Sequence, residues 1–192
     1  MKIILASGSP RRKEIMTRLG YEYDVIKAVK DEITTETKPE NIVKELSFNK
    51  MLEVCEGLDK KDDYIILAAD TVVAYEGKVL GKPKDRTDAK VMLGLISGHT
   101  HQVYTGVTIR RTGDERTVCF FEKTDVTVKP MTEAEISEYV ATGECDDKAG
   151  AYAIQGIFSK YIDGYSGDYS NVVGLPASRV KTELDSLMED MR

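Results

Sequence analysis

The chain is short of the residues that build metal and disulfide frameworks. Its 192 residues hold two histidines and three cysteines. Cys55, Cys119 and Cys145 are odd in number, far apart and form no CxxC pair, which argues against a structural zinc site or a disulfide scaffold. Base is in short supply too. Lysine plus arginine total 27 against 33 aspartates plus glutamates, a net charge of −6. Broad binding to nucleic acid or to an anionic membrane wants the opposite excess, so neither is expected as a partner. No apolar run approaches the roughly 18 residues of a membrane span. The run Ile3-Ile4-Leu5-Ala6 stops at Ser7 and soon meets Arg11 and Arg12, too short for a signal-peptide core. The expected location is the reducing cytoplasm. Repeats, low-complexity tracts and linker-like stretches are also missing. At roughly 150 residues per domain, residues 1–192 read as one domain with two lobes.

What is present alternates helix and strand signals. Ser9 can cap a helix with Pro10 at its first position and Ile15, Met16 and Leu19 on its apolar stripe, ended by Gly20. Pro39 opens a second, with Val43, Leu46, Lys50 and Val54 on one face. A third follows Asp85, with Ala89, Met92, Leu93 and Ile96 at i, i+3, i+4 and i+7. Thr132 and Glu135 form a capping box for a fourth, which Gly143 ends, and Pro176 opens the last. Strand-like runs cover residues 2–6, 64–75, 78–80, 102–110 and 118–128, and Glu76-Gly77 reads as a two-residue hairpin turn. The pattern predicts an α/β fold with a mixed sheet.

Four segments carry chemistry. In LASGSPRR (residues 5–12), Arg11 and Arg12 occupy the first turn of a helix, where the macrodipole is already positive. Either the two are solvated on a capped helix, or an anion docks there, met by amide N–H groups and by both guanidinium forks, with Gly8 allowing close approach. In IILAADTVVAYEGKVLGKP (residues 65–83), a strand apolar on both faces delivers Asp70, whose carboxylate needs a cation. Spacing leaves open a structural ion pair with Lys82 or a Mg²⁺ ion shared with phosphates. Lys50 lies in line with Val43, Leu46 and Val54, and this pattern favours a stem that snorkels to solvent over one aimed at phosphate oxygens. In DDKAGAYAIQG (residues 146–156), small residues suit a pocket-shaping loop, and Gln155 can read an amide edge by donor and acceptor. Glu32, after Asp31, reads by default as a solvated surface acid. His99 and His101 lack the third ligand that a metal site would need.

Together these segments resemble the Maf family of nucleotide pyrophosphatases. LASGSPRR is similar to its N-terminal phosphate-binding motif, and AADTVV with GKPKD to its central motif. SGHTHQVYTGV, DDKAGAYAIQG and GDYSNVVGLP resemble three more, in the family's order, from residue 3 to about residue 180. The resemblance implies a two-lobed α/β fold with a long mixed sheet, related to the inosine triphosphate pyrophosphatases, with a cleft between the lobes. It implies hydrolysis of a nucleoside triphosphate to monophosphate and pyrophosphate with a divalent cation, Mg²⁺ or Mn²⁺, and a homodimer. Arg11, Thr71 and Gln155 resemble the branch acting on dTTP and UTP, whereas the 7-methyl-GTP branch carries an aromatic residue and glutamine at the first two positions. Two departures stand out: ELSFNKM replaces an alanine-rich pattern around Lys50, and His99 stands where arginine is common.

The resulting expectation has a triphosphate held by Ser7 and the amides after it, by Arg11, Arg12, Lys50 and Lys82, with Thr71 and Gln155 near the base. Asp70 takes the proton of, or orients, the water that attacks the α-phosphorus, and Glu32 joins Asp70 at the metal. The alternatives are a nucleotide-binding regulator linked to cell division and a broad house-cleaning pyrophosphatase of non-standard nucleotides.

Overall fold

The computed structural model of the chain describes residues 2–59 and 62–189. Its strands are β1 (Lys2–Leu5), β2 (Tyr23–Val25), β3 (Tyr64–Tyr75), β4 (Lys78–Leu80), β5 (Thr100–Arg111), β6 (Thr117–Val128) and β7 (Ile162–Ser166). The helices are α1 (Pro10–Arg18), α2 (Pro39–Glu56), α3 (Arg86–Ile96), α4 (Glu133–Ala141), α5 (Tyr169–Val173) and α6 (Ala177–Glu189). The strands pair in the order β2-β1-β3-β5-β6-β7, with β4 on β3. The sheet is mixed, as expected: β1 pairs parallel with β2 and β3, while β4 on β3 and β7 on β6 are antiparallel. By its contacts the chain divides into two compact units. One comprises Met1–Asp70, Thr105–Glu122 and Gly174–Arg192; the other comprises Thr71–Tyr104 and Lys123–Val173.

In the first unit, β1, α1 and β2 form a parallel crossover, and β3 follows as the most buried strand. Ile65, Ile66, Leu67, Ala68 and Ala69 are all 0% exposed, as a strand covered on both faces must be. Helix α2 packs its Met51 and Val54 against Ile4, Ala6, Tyr64, Ile66 and Ala68. Two further contacts lock α2 to β5. The Ser47 and Thr108 hydroxyls share a buried hydrogen bond of 2.9 Å. Gly106 lets the backbone of α2 come so close that a Cβ there would collide with the Val43 carbonyl and sit 2.8 Å from the Lys44 nitrogen. The height of α2 over the sheet is therefore set by backbone contact.

The segment before α2 runs antiparallel along that helix. Glu53 accepts hydrogen bonds from the Val29 and Lys30 amides at 2.8 and 3.2 Å, the Thr34 hydroxyl donates to Glu45, and Asn41 donates to Glu36 at 3.0 Å. The ties of this strap are polar. Its apolar side chains Val29 and Ile33 stay exposed, at 76% and 73%.

In the second unit, α3 packs on α4 and on a 3-10 turn at Ala149–Ala151. Beneath lies an aromatic cluster: Phe158 has its ring centroid 4.8 Å from Tyr152, 5.0 Å from Tyr139 and 5.6 Å from Tyr161. His101 is fully buried beside it, with Nε2 2.8 Å from the Tyr152 hydroxyl. Burial pushes this imidazole down to about 4, and Asp125 opposes the shift. The capping box of Thr132 and Glu135 forms as expected. Ser9 is a correction: it occupies the N-cap of α1 but makes no side-chain cap bond.

Two tests follow from this packing. Between pH 6.5 and about 4, unfolded His101 binds a proton that the folded imidazole refuses, so stability is present above this window and falls as pH drops through it. The loss approaches about 3 kcal/mol, and thermal melts of His101→Gln should show a correspondingly flatter acid limb. Secondly, Glu53→Ala should free the strap. Losing its charge-assisted bonds, roughly 1.5 kcal/mol or more, should raise trypsin cleavage after Lys30 about tenfold, with little change in melting temperature.

Candidate active site

Between β1 and α1 the chain turns through Ser7, Gly8 and Ser9. Ser7 is buried, and its Oγ accepts from the Ser9 amide and from Arg12 Nη1, both at 3.2 Å. Arg12 Nε donates to the carbonyl of Gly174 at 2.8 Å, tying the start of α1 to the stretch before α6. Arg12 is thereby aimed by two bonds at once. Burial lowers its pKa from the ordinary arginine value. Asp70 opposes that shift most strongly, Arg11 adds to it and Glu32 opposes it again, so these four charges share one electrostatic neighbourhood. Arg11 and Arg12 stand in the first turn of α1 with Pro10 at its start and no acid in that turn, so the dipole's positive end is not compensated there from within the helix.

Asp70 ends the buried stretch of β3, and the cation it meets is Lys50. The ammonium lies 2.5 Å from Asp70 Oδ1 and 2.7 Å from Glu32 Oε1. The lysine side chain is 17% exposed. This corrects the expectation that Lys50 snorkels to solvent. The stem does follow the apolar face of α2, but the helix is seated so closely on β5 that the ammonium reaches the end of β3 instead. Glu32 is exposed, as expected, its side chain at 48%, but the strap on α2 also carries it to Lys50.

Two carboxylates that share one ammonium direct their oxygens at one point. Hard oxygen donors suit Mg²⁺ or Mn²⁺. Among the described residues no group of three or more His, Cys, Asp or Glu side chains forms a metal cluster. Asp70 and Glu32 would thus leave most positions of an octahedral ion to water and phosphate oxygens, which is how Mg²⁺ is commonly held beside nucleotides. The donor set fits such an ion.

The other expected residues lie in the second unit. Thr71 continues β3 directly after Asp70 and is half-buried. Lys82 is exposed, two residues beyond β4. Gly81, just before it, accepts the Gly150 amide at 3.0 Å, so the loop of residues 146–156 is fastened beside Lys82. Gln155 is half-buried at the end of that loop, between buried Ile154 and Gly156. Ala151 adopts a left-handed φ of 60° within it, a local strain that the surrounding packing must hold.

Three contributors escaped sequence reasoning. The stem of Lys27 lies alongside Gly8, with Cδ 3.2 Å from where a Cβ would stand. Glu53 and the Gly174 carbonyl hold the strap and Arg12 respectively. Gly174 stands in the GDYSNVVGLP segment, but in each case the contact itself is remote in sequence and leaves no local signal.

Comparison with known proteins bears on this arrangement. The model of the Maf family, described as Maf-like protein, matches residues 2–187. A dTTP/UTP pyrophosphatase of Agathobacter rectalis is 48% identical over 99% of both chains. Proteins of the same name are 49% identical in Thermoanaerobacter sp. strain X514, over 94% of this chain and 93% of the other, and 47% identical in Bacillus thuringiensis subsp. konkukian, over 99% and 97%. A crystal structure of a nucleoside-triphosphatase / dITP/XTP pyrophosphatase from Mycobacterium abscessus is a more distant likeness. It has 12% identity and a TM-score of 0.39 over 68% of this chain and 76% of that one, too remote to argue from. The match along nearly the whole length, together with near-complete relatives at almost half identity, places this chain in the Maf family.

Proposed function

We propose that the protein is a nucleoside triphosphate pyrophosphatase that converts dTTP and UTP to their monophosphates and pyrophosphate, with residues 1–192 acting as one Maf-like domain. The observation that carries this reading is the Lys50 ammonium shared by Asp70 and Glu32 in the electrostatic neighbourhood of Arg11 and Arg12. The names of the relatives give the pyrimidine substrates.

In this mechanism Ser7, Arg11, Arg12, Lys50 and Lys82 bind the triphosphate, the arginines at the positive end of α1. Asp70 accepts the proton of the attacking water. The new bond forms from water oxygen to the α-phosphorus, the bond from the α-phosphorus to the bridging oxygen breaks, and pyrophosphate leaves with its charge met by the cationic side chains. Asp70 and Glu32 would hold a Mg²⁺ or Mn²⁺ ion, which when bound neutralises charge on phosphate oxygens. Thr71 and Gln155 address the base, whose carbonyl acceptors and single N–H donor a glutamine amide can match. A homodimer and a cytoplasmic location belong to the same reading. No helix among the described residues is long and apolar enough to cross a membrane, and the acidic balance leaves nucleic acid out.

The test is pyrophosphate release from a panel of triphosphates with Mg²⁺ or Mn²⁺, run beside Asp70→Asn. Turnover should be confined to dTTP, UTP and close analogues, and the variant should lose about 10³-fold in kcat while still binding nucleotide. Broad turnover would point to house-cleaning. Tight binding without turnover would point to a regulator.

A further inference from the structure

The acid Glu144 is untouched by the mechanism above, yet it grips the backbone directly after Gln155. It follows α4 and the left-handed Gly143. Its Oε1 accepts the Ile157 amide at 3.0 Å and its Oε2 accepts the Phe158 amide at 3.3 Å. Gly156 lies against the same carboxylate. Its φ of 87° and ψ of −146° belong to a region essentially reserved for glycine, and a Cβ there would collide with Glu144 Oε1. From the other side, the Ser159 hydroxyl donates to the Gly156 carbonyl at 2.6 Å. Below, Phe158 is anchored in the aromatic cluster, and Tyr139 of that cluster has its hydroxyl pKa raised by burial first and by its closeness to Glu144 second. The three residues after Gln155 are therefore held by a carboxylate, a hydroxyl and a buried ring, while Ile154 before it is itself buried.

The turn of residues 157–161 leaves its two leading amides without a partner inside it, and Glu144 takes both, one on each oxygen, at an approach so close that residue 156 must be glycine. The residue whose direction is fixed as a result is Gln155, whose own side chain is only half-buried. We propose that Glu144 is a positioning residue for base recognition: by holding the Ile157 and Phe158 amides, it sets the orientation in which the Gln155 amide meets the pyrimidine. The inference rests on the reading of Gln155 as a contact to the base.

The experiment compares wild type, Glu144→Ala, Glu144→Gln, Gln155→Ala and the Glu144→Ala/Gln155→Ala double variant on UTP, dTTP, dGTP and dATP, with melting temperatures recorded for each. Glu144→Ala should raise KM for UTP and dTTP about tenfold with kcat nearly unchanged, and narrow their advantage over the purine nucleotides. Glu144→Gln keeps one acceptor oxygen and should recover part of that selectivity. If the alanine variant fails to fold, Glu144→Gln still carries the test, and a substrate ranking and KM identical to wild type in it would overturn the proposal. In the double variant, the Glu144 change should add nothing to the loss from Gln155→Ala. A uniform loss across all four nucleotides, or additive losses in the double variant, would overturn the positioning role while leaving Gln155 as a base contact. An unchanged ranking in Gln155→Ala would overturn the reading of Gln155 itself, and this inference with it.

Discussion

One ammonium organises the candidate site. A carboxylate at the end of a buried apolar strand is unfavourable without a cation, and Asp70 meets one directly because α2 brings Lys50 within 2.5 Å. That requirement propagates outward. The helix must lie close enough to the sheet for its backbone to touch Gly106, and the Ser47–Thr108 hydrogen bond fixes it there. The strap of residues 29–36 must lie along α2 so that Glu32 reaches the same ammonium. Buried ion pairs of this kind are poor sources of stability, since well-packed apolar residues of similar volume often do as well or better. The cluster is better understood through the chemistry of an anionic substrate: its lysine can meet phosphate oxygens, and its two acids can accept a proton or hold a hard cation.

The two units divide the work differently. In the first, charges are held by hydrogen bonds to backbone and by the dipole of α1, as with Arg12 between Ser7 and Gly174. In the second, stiffness comes from packed rings and from backbone held in uncommon conformations. The loop of residues 146–156 contains Ala151 at positive φ, is fastened through Gly150 to Gly81, and ends at a glycine that Glu144 makes obligatory. Ordered strain of this sort suits a segment that must present one side chain in one direction. The buried His101 beside Tyr152 of that loop fits the same design, since burial disfavours its charged form.

Local chemistry made much of this readable along the chain. Helix starts at Pro10, Pro39 and Thr132, the apolar run into Asp70 and the hairpin at Glu76-Gly77 each depend on residues within a few positions of one another, so periodicity and capping rules find them. The short strands β2 and β7 went unseen because three to five residues, with Gly164 and Asp163 in the second, carry no alternation to read. The motif resemblance named Arg11, Arg12, Lys50, Asp70 and Gln155 together, but as types in order, without saying what each touches. By itself the sequence determined most of the longer elements, the acidic balance and which side chains are candidates for the site, because propensity and motif spacing are local properties. Tertiary structure alone decided that Lys50 turns to Asp70 rather than to water, that Glu32 joins them, and that Glu144 clamps the end of the Gln155 loop. Those outcomes depend on how closely a helix rests on a sheet and on which distant amides need an acceptor, quantities set only when the whole chain has packed.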